Sequence, residues 1–192
     1  MFYGGTFLSL VTWVVGGLIA IVIVIVVGLL VYYYNRIRIL FNRIEEAWAQ
    51  IDVQLKKRYD LVPNLVETVK GYAKHEKEIF EKVADARKGM ISGSREDRMN
   101  SSNQLTNTLK SLFAVAENYP VLKASDNFKL LQEQLEGIEN KIAYARQYYN
   151  SSVLEYNNLI TTIPGSWFAG SRTKEAFLSI PEEERSPVKV KF

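Results

Sequence analysis

Residues 7–34 read FLSLVTWVVGGLIAIVIVIVVGLLVYYY, a run of 28 residues without a charged side chain. About 20 apolar residues, rising 1.5 Å each in a helix, are enough to cross the ~30 Å hydrocarbon layer of a bilayer. A cleavable signal peptide would have a basic start and a shorter apolar core, whereas residues 1–34 contain no Lys or Arg. A core helix of a small soluble domain is rarely apolar on every face. This stretch therefore predicts an uncleaved transmembrane helix over residues 7–34.

The ends of this helix carry the residues that mark membrane interfaces. Trp13 and Tyr32 are separated by about 28 Å along a helix, close to the hydrocarbon thickness, and aromatic side chains favour both interfaces. Basic residues follow the helix and none precedes it, which predicts residues 1–6 outside and the remaining chain in the cytoplasm of a bacterial inner membrane. The residues expected at the interfaces are Trp13, Tyr32, Tyr33, Tyr34, Arg36 and Arg38, with Arg43 adding to the positive charge.

Beyond residue 34 the apolar residues recur every three or four positions, which is typical of packed helices with coiled-coil-like seams. The pattern predicts helices over Ile44 to Leu55, Asp60 to Ala86, Leu105 to Ala116 and Asp126 to Pro164, with a loop over residues 89–102. No segment has the strict alternation of a strand. We therefore predict an all-α fold in which the transmembrane helix precedes an antiparallel four-helix bundle over residues 35–163. Residues 164–192 are predicted to form an irregular tail.

The stretch from Asp60 to Pro63 leaves two alternatives open. Asp60 is a good N-cap and proline is tolerated in a first turn, which favours a reversal between two helices. The same proline is also compatible with a kink in one long helix.

The composition narrows the classes of function. The chain has 24 basic and 21 acidic residues among 192, which is too small an excess to indicate nucleic-acid binding. It has no cysteine, and three residues before its single histidine, His75, lies Tyr72 rather than the glutamate of a di-metal bundle site. Neither a catalytic triad nor a phosphate-binding loop is present. The sequence thus predicts no catalytic, metal or cofactor-binding residues and no small-molecule substrate.

Two carboxylates are the exception that keeps an enzymatic alternative open. Asp52 and Glu67 are both flanked by residues of the apolar stripes, and a buried carboxylate pair can perform acid/base chemistry. The simpler interpretation places both at the bundle edge beside Lys56, Lys57, Arg58 or Lys70.

Polar and aromatic residues near the C-terminus suggest contacts. Tyr149-Asn150 and Tyr156-Asn157 are seven residues apart on one helix face, where buried amides would set register in the bundle or at an oligomer contact. In the tail, Trp167 and Phe168 near Arg172 and Lys174 are candidates for a second membrane contact. Packing of the tail on the flank of the bundle is the alternative.

Several motifs resemble the LemA family of bacterial membrane proteins: AWAQIDVQLKKRYDLVPNLV at residues 47–66, ETVKGY at 67–72, AENYPVLK at 116–123, ENKIA at 139–143 and ARQYYN at 145–150. The resemblance covers roughly residues 30–165 and does not extend to Trp167 and beyond. It implies one N-terminal span with the N-terminus outside, a cytoplasmic helical bundle and no established enzyme activity. Relatives in this family are connected with envelope processes and with biogenesis of a bacterial membrane compartment.

Three hypotheses for function follow. The first is a non-enzymatic, membrane-anchored scaffold of the bacterial cell envelope that acts by self-association into a homo-oligomer, or by recruiting envelope proteins. The second is a hydrolase, or an accessory subunit of a membrane enzyme, that uses Asp52 and Glu67. The third is a precursor that releases a short peptide from the uncharged, glycine-containing residues 1–12.

Overall fold

The computed structural model describes the backbone of residues 3–179 and the side chains of residues 11–179. These residues form helices and contain no β-strand, as the sequence predicts. The elements are α1 Tyr3–Lys70, α2 Lys77–Lys88, α3 Arg95–Ala116, α4 Pro120–Ala124, α5 Asp126–Thr161 and a 3₁₀ helix Gly165–Phe168. Met1 and Phe2, with which the predicted outer segment begins, lie outside the described residues.

Helix α1 passes through Asp60 and Pro63 without interruption. Of the two alternatives at this stretch, the single long helix is therefore the one observed, and a helix start at Asp60 is wrong. Proline has no N–H and leaves the carbonyl four residues earlier without its helical partner. That carbonyl belongs to Tyr59, and Nε of Arg87 donates a hydrogen bond to it at 2.8 Å. The guanidinium of Arg87 also lies 3.6 Å from the centroid of the Tyr59 ring. Helix α2 thus supplies the hydrogen bond that the proline removes.

The first reversal of the chain lies at residues 71–76, between α1 and α2. Hydrogen bonds from the main-chain N–H of Gly71 to Glu67 and of Tyr72 to Val69 close the last turn of α1. Ala73 is buried in this turn, and His75 is exposed there rather than on a helix.

Helix α3 begins ten residues earlier than predicted, so the predicted loop over 89–102 shrinks to residues 89–94. A capping box forms its start: Oγ of Ser94 accepts from the N–H of Asp97 at 3.1 Å, and Oδ2 of Asp97 accepts from the N–H of Ser94 at 3.0 Å. Gly93, just before the cap, has φ +96°, a backbone conformation that favours glycine.

The end of the bundle agrees more closely with the sequence pattern. Helix α3 stops at Ala116, before Pro120, and α5 begins at Asp126 and runs for 36 residues. The short α4 with Pro120 at its start was not predicted.

The described residues form two compact units, residues 3–43 with 154–175 and residues 44–153 with 176–179. In the second unit, residue pairs across the helices give their directions. Trp48 faces Tyr149 and Arg58 faces Glu139, so α1 and α5 are antiparallel. Arg87 on α2 contacts Tyr59 and Lys70 lies over Phe80, so α2 is antiparallel to α1 as well.

Helix α3 runs in the same direction as α1, because Arg98 pairs with Asp52 and Arg58 bonds to Ser102 and Thr106. Helices α1, α2, α3 and α5 of this unit therefore alternate in direction. The predicted antiparallel four-helix bundle is confirmed, with its first two helices divided at a different point.

The core of the second unit is a set of fully buried aliphatic side chains at heptad spacing on α1 and α3. The residues with no exposed surface include Ile44, Ile51, Leu55, Leu65, Leu105 and Leu112. Burying such a side chain stabilises a fold by about 1.5–3 kcal/mol relative to leaving it exposed. This packing fixes the helices that carry the polar residues described below.

Candidate functional site

In the first unit, the N-terminal part of α1 has the properties of a membrane span. Its most apolar 18-residue window has a mean hydropathy of 3.3, and none of that window is buried within the protein. Among the described residues this is the one helix long and apolar enough to cross a membrane, by length and composition. Trp13 is 81% exposed and Tyr32 60%. Such a continuous apolar surface is stable only against lipid or a partner.

The chain after α5 returns to the end of this apolar stretch. The ring of Phe168 stacks on that of Tyr33, with centroids 4.9 Å apart and planes 4° from parallel. The turn that brings it there is tight, because a Cβ on Gly165 would lie 2.1 Å from the carbonyl oxygen of Leu159. Phe168 is thereby held beside the last residues of the uncharged run.

The neighbouring side chains of this turn point outward. Trp167 is 73% exposed and Ile163 72%. Tyr34, next to the stacked Tyr33, is also exposed. The predicted interface residues Tyr33, Tyr34, Trp167 and Phe168 thus all lie in the first unit, with Phe168 packed and Trp167 exposed.

Two of the arginines that set the predicted orientation are engaged in the structure. Arg36 and Arg43 bind the two carboxylate oxygens of Glu155 on α5 at 2.6 and 2.7 Å. All three side chains are partly exposed, so each ion pair contributes at most about 1 kcal/mol. These pairs join α1 to the last part of α5 just after the span.

Next to Glu155 on α5, Tyr156 is buried and packs on Phe41 of α1 with ring centroids 6.0 Å apart. Burial raises the pKa of the Tyr156 hydroxyl, the charge of Glu175 raises it further, and Arg172 opposes the rise. The phenol is therefore neutral at physiological pH.

The two asparagines predicted to need partners find them in the main chain of the C-terminal segment. In the first unit, the Asn157 amide donates to the carbonyl of Glu175 and accepts from its N–H, both at 2.9 Å. In the second unit, Asn150 makes the same pair of bonds to Leu178, at 3.1 and 2.9 Å. Tyr149, also buried, contacts the carbonyl of Ala176 at 3.5 Å. Each side-chain amide thus hydrogen-bonds to both the N–H and the carbonyl of one residue, as a neighbouring β-strand would.

A buried polar cluster that the sequence did not predict lies in the second unit. The guanidinium of Arg58 is 2% exposed and pairs with Glu139 at 2.6 Å. It also donates to the hydroxyls of Ser102 and Thr106 at 2.9 Å each. Burial lowers the pKa of Arg58 and the charge of Glu139 opposes this. The cluster links α1, α3 and α5, and its signal in the sequence is the position of Arg58 three residues after Leu55 in the apolar seam.

A second cluster joins the same three helices through cations and aromatic rings. The guanidinium carbons of Arg95 and Arg98 lie 5.5 and 5.3 Å from the Trp48 ring. Arg95 also binds Glu45 at 2.7 Å and contacts Tyr149. Burial lowers the pKa of Arg95, but the hydrogen bonds to Glu45 and Tyr149 raise it by more. This arrangement positions Tyr149 beside the C-terminal segment.

The two carboxylates of the enzymatic hypothesis do not form a pair. Asp52 and Glu67 lie on the same helix, and fifteen residues correspond to about 22 Å along it. Asp52 pairs with Arg98, and Glu67 pairs with Lys70 at 3.0 Å, as the simpler interpretation expects for Glu67. Within residues 11–179, no three His, Asp or Glu side chains are placed to hold a metal ion.

The family model of the LemA family matches residues 47–192, about three quarters of the sequence. The chain belongs to the LemA family. The match extends through the C-terminal segment, so the resemblance in the sequence motifs, which covered residues 30–165, was too short at this end.

Among relatives of this LemA protein are magnetosome proteins. It is 23% identical over 163 residues to the magnetosome protein MamQ of Magnetospirillum gryphiswaldense, a match that covers 71% of this chain and 60% of the relative. It is 25% identical over 189 residues to magnetosome proteins MamQ 1 and MamQ 2 of Paramagnetospirillum magneticum, covering 83% of this chain and 70% of each relative. Family and relatives, together with the apolar helix, indicate a membrane-associated protein.

Proposed function

We propose that this LemA protein is a non-enzymatic scaffold anchored in the bacterial inner membrane by residues 7–34, with its helical bundle in the cytoplasm. The bundle assembles with further copies of itself and organises the membrane or the envelope proteins beside it. Support for the anchor comes from the exposed apolar surface of α1, and support for a role in membrane organisation comes from the likeness to magnetosome proteins.

The observation that carries the self-association is an open groove between α1 and α5 of the second unit. Two adjoining depressions of about 550 Å³ each share Gly137 and Lys141 as lining residues. Tyr144, 76% exposed, and Val53 give the groove apolar surface. Most of its polar lining consists of uncharged amides: Gln50, Gln54, Asn64, Gln134 and Asn140.

An amide-rich face suits a second copy of the same chain. Each side-chain amide both donates and accepts hydrogen bonds. A two-fold axis brings the same residue of both copies together, and two such amides can bond to each other without charge repulsion. Anchoring in one membrane also raises the effective concentration of copies.

Gly137 supports a close approach at this groove. A glycine inside a helix costs about 0.5–1 kcal/mol relative to alanine, and a Cβ here would meet no atom of the chain within 4 Å. Nothing within the described chain therefore requires glycine at this position. The absence of a side chain would let a neighbouring helix seated in the groove approach closely.

Disulfide cross-linking in native membranes tests the proposal, because the chain has no cysteine of its own. We expect Tyr144→Cys to form covalent dimers under a mild oxidant, and Glu81→Cys on the exposed face of α2 to form few. Gly137→Ala, added to Tyr144→Cys, should lower dimer yield while raising the free energy of unfolding. Equal yields from the two cysteine variants, or no dimers at all, would overturn the self-association.

The orientation is tested with the same cysteine-free background. A cysteine at Glu81 should be labelled by a membrane-impermeant maleimide only after the cells are opened, and a cysteine at Gly4 should be labelled in intact cells. The reverse pattern would place the bundle outside. Intact N-termini on all cellular copies would exclude the released-peptide alternative.

A further inference from the structure

Two arginines of the first unit lie over one tyrosine ring. The guanidinium carbon of Arg38, on α1, is 5.9 Å from the centroid of the Tyr34 ring, and that of Arg172 is 5.5 Å from the same centroid. The two guanidinium carbons can therefore be at most as far apart as these two distances added together. The two arginines are 134 positions apart in the sequence. The Tyr34 ring holds both through cation–π contacts.

These arginines differ from their neighbours in having no ion pair with a carboxylate of the described residues. Arg36 and Arg43 share Glu155, whereas no ion pair of residues 11–179 includes Arg38 or Arg172. Arg172 is held in place by a hydrogen bond from its Nη1 to the carbonyl of Ala169 at 3.1 Å. The site thus presents two guanidinium groups that are held in position. Among the described residues, no acidic side chain forms an ion pair with either of them.

The depth of the site follows from the stacking described above. Tyr34 is the last residue of the predicted span 7–34, and Phe168 is held against Tyr33. If residues 7–34 span the bilayer, Arg38 and Arg172 lie at the level of the lipid headgroups. The phosphate of a lipid is the abundant anion there, and a guanidinium binds phosphate oxygens through two parallel N–H donors.

We propose that Arg38 and Arg172, arranged on Tyr34, form a cationic site for the phosphate headgroups of anionic phospholipid in the cytoplasmic leaflet. This inference rests on the membrane anchoring in the proposed function. It deepens that function, because it makes the first unit selective for the lipid around it. Trp167, exposed beside Phe168, would lie in the same interface and contact the lipid glycerol and acyl region.

The experiment uses the full chain reconstituted in nanodiscs that contain equal parts phosphatidylcholine and phosphatidylglycerol. After transfer to mild detergent, native mass spectrometry reports which lipid stays bound. We expect the wild-type protein to retain phosphatidylglycerol in excess. Arg38→Gln and Arg172→Gln should each reduce that excess roughly fivefold, as expected for one basic group at an anionic surface.

A matched control removes the same charge elsewhere. Lys123→Gln with Lys129→Gln, at exposed positions around the start of α5, should leave the excess unchanged. Its counterpart is the double variant Arg38→Gln with Arg172→Gln, which removes the same number of charges. If these two double variants retain equal amounts of phosphatidylglycerol, or the wild-type protein retains both lipids equally, the proposal is wrong. If millimolar inorganic phosphate displaces the lipid, the arginines form a free-anion site and the proposal is also wrong.

Failure of the anchor itself would give a different result. Extraction of cell membranes at alkaline pH releases proteins that do not span the bilayer. If the wild-type chain is released, the proposed membrane anchoring fails, whereas retention in the membrane without lipid preference overturns the lipid site alone.

Discussion

The contact between Arg87 and the carbonyl freed by Pro63 predicts a measurable coupling between two residues on different helices. Nε of Arg87 bonds to the Tyr59 carbonyl at 2.8 Å because residue 63 has no N–H to offer. In Pro63→Ala the helix can make this bond itself, so Arg87 loses part of its role. Arg87→Met should therefore destabilise the wild-type protein more than it destabilises Pro63→Ala.

The expected magnitudes follow from the contacts. A hydrogen bond from a charged donor contributes about 1.5–3 kcal/mol, and a cation–π contact at a partly exposed site about 0.5–1 kcal/mol. Arg87→Met should lower the free energy of unfolding of the wild-type protein by about 2 kcal/mol, and that of Pro63→Ala by about 1 kcal/mol. The coupling energy is then about 1 kcal/mol. Pro63→Ala alone should stabilise the fold by about 1–3 kcal/mol.

Guanidinium unfolding of the full chain in detergent micelles, followed by far-ultraviolet circular dichroism, gives the four free energies. Lys88→Met is the control, because Lys88 is exposed and, among the described residues, its one ion pair is with Asp85 on its own helix. Its effect should stay within about 0.5 kcal/mol. Additivity of Pro63→Ala and Arg87→Met within about 0.3 kcal/mol would refute the reasoning, since two residues that serve one carbonyl cannot be independent.

Three further predictions concern other contacts of the bundle. Glu139→Ala leaves the buried charge of Arg58 unpaired and should lower the free energy of unfolding by about 3 kcal/mol. The double variant Glu139→Leu with Arg58→Met removes both charges and should restore most of that stability in the same denaturation assay. Hydrogen bonds from Ser94 hold the pKa of Asp97 in the folded protein below its ordinary value of 3.8. The ionised carboxylate therefore stabilises the fold above pH 3.8, and this stabilisation is lost as the pH falls through the pKa of the folded state. Asp97→Asn should therefore show a smaller loss of stability in acid titrations followed by circular dichroism. Asn150→Ala deprives the main chain of Leu178 of both partners and should accelerate chymotrypsin cleavage of the C-terminal segment, while the exposed Asn158→Ala should not.

The helical class, the bundle and the long last helix follow from heptad spacing, which the sequence displays directly. The two errors in helix boundaries both lie near buried polar residues. The apolar seam of α1 includes Arg58 between Leu55 and Val62, and the seam of α3 includes Ser102 between Met99 and Leu105. In the structure they are partners, since Arg58 donates to the Ser102 hydroxyl at 2.9 Å. A pattern that counts only apolar residues is weakened at each of these positions. In α1, Asp60 and Pro63 also favoured a helix start, because the sequence does not show that Arg87 bonds to the carbonyl that the proline leaves free.

The C-terminal amides illustrate a different limit. The spacing of Asn150 and Asn157 correctly placed both on one face of α5, and burial in a helix interface does require partners for their amides. Their partners are main-chain groups of Leu178 and Glu175. Main-chain groups are the same in every residue, so no pattern of side chains in the tail distinguishes the segment that an asparagine will bind.

The tail also shows why two interpretations of the same residues need not compete. Membrane contact and packing on the bundle were alternatives for Trp167 and Phe168 together. Successive residues of a 3₁₀ helix point about 120° apart, so one ring can pack inward while the next faces outward. Phe168 stacks on Tyr33 and Trp167 remains exposed. Packing of Phe168 on Tyr33 is therefore compatible with the proposed contact of Trp167 with lipid, and is not evidence against it.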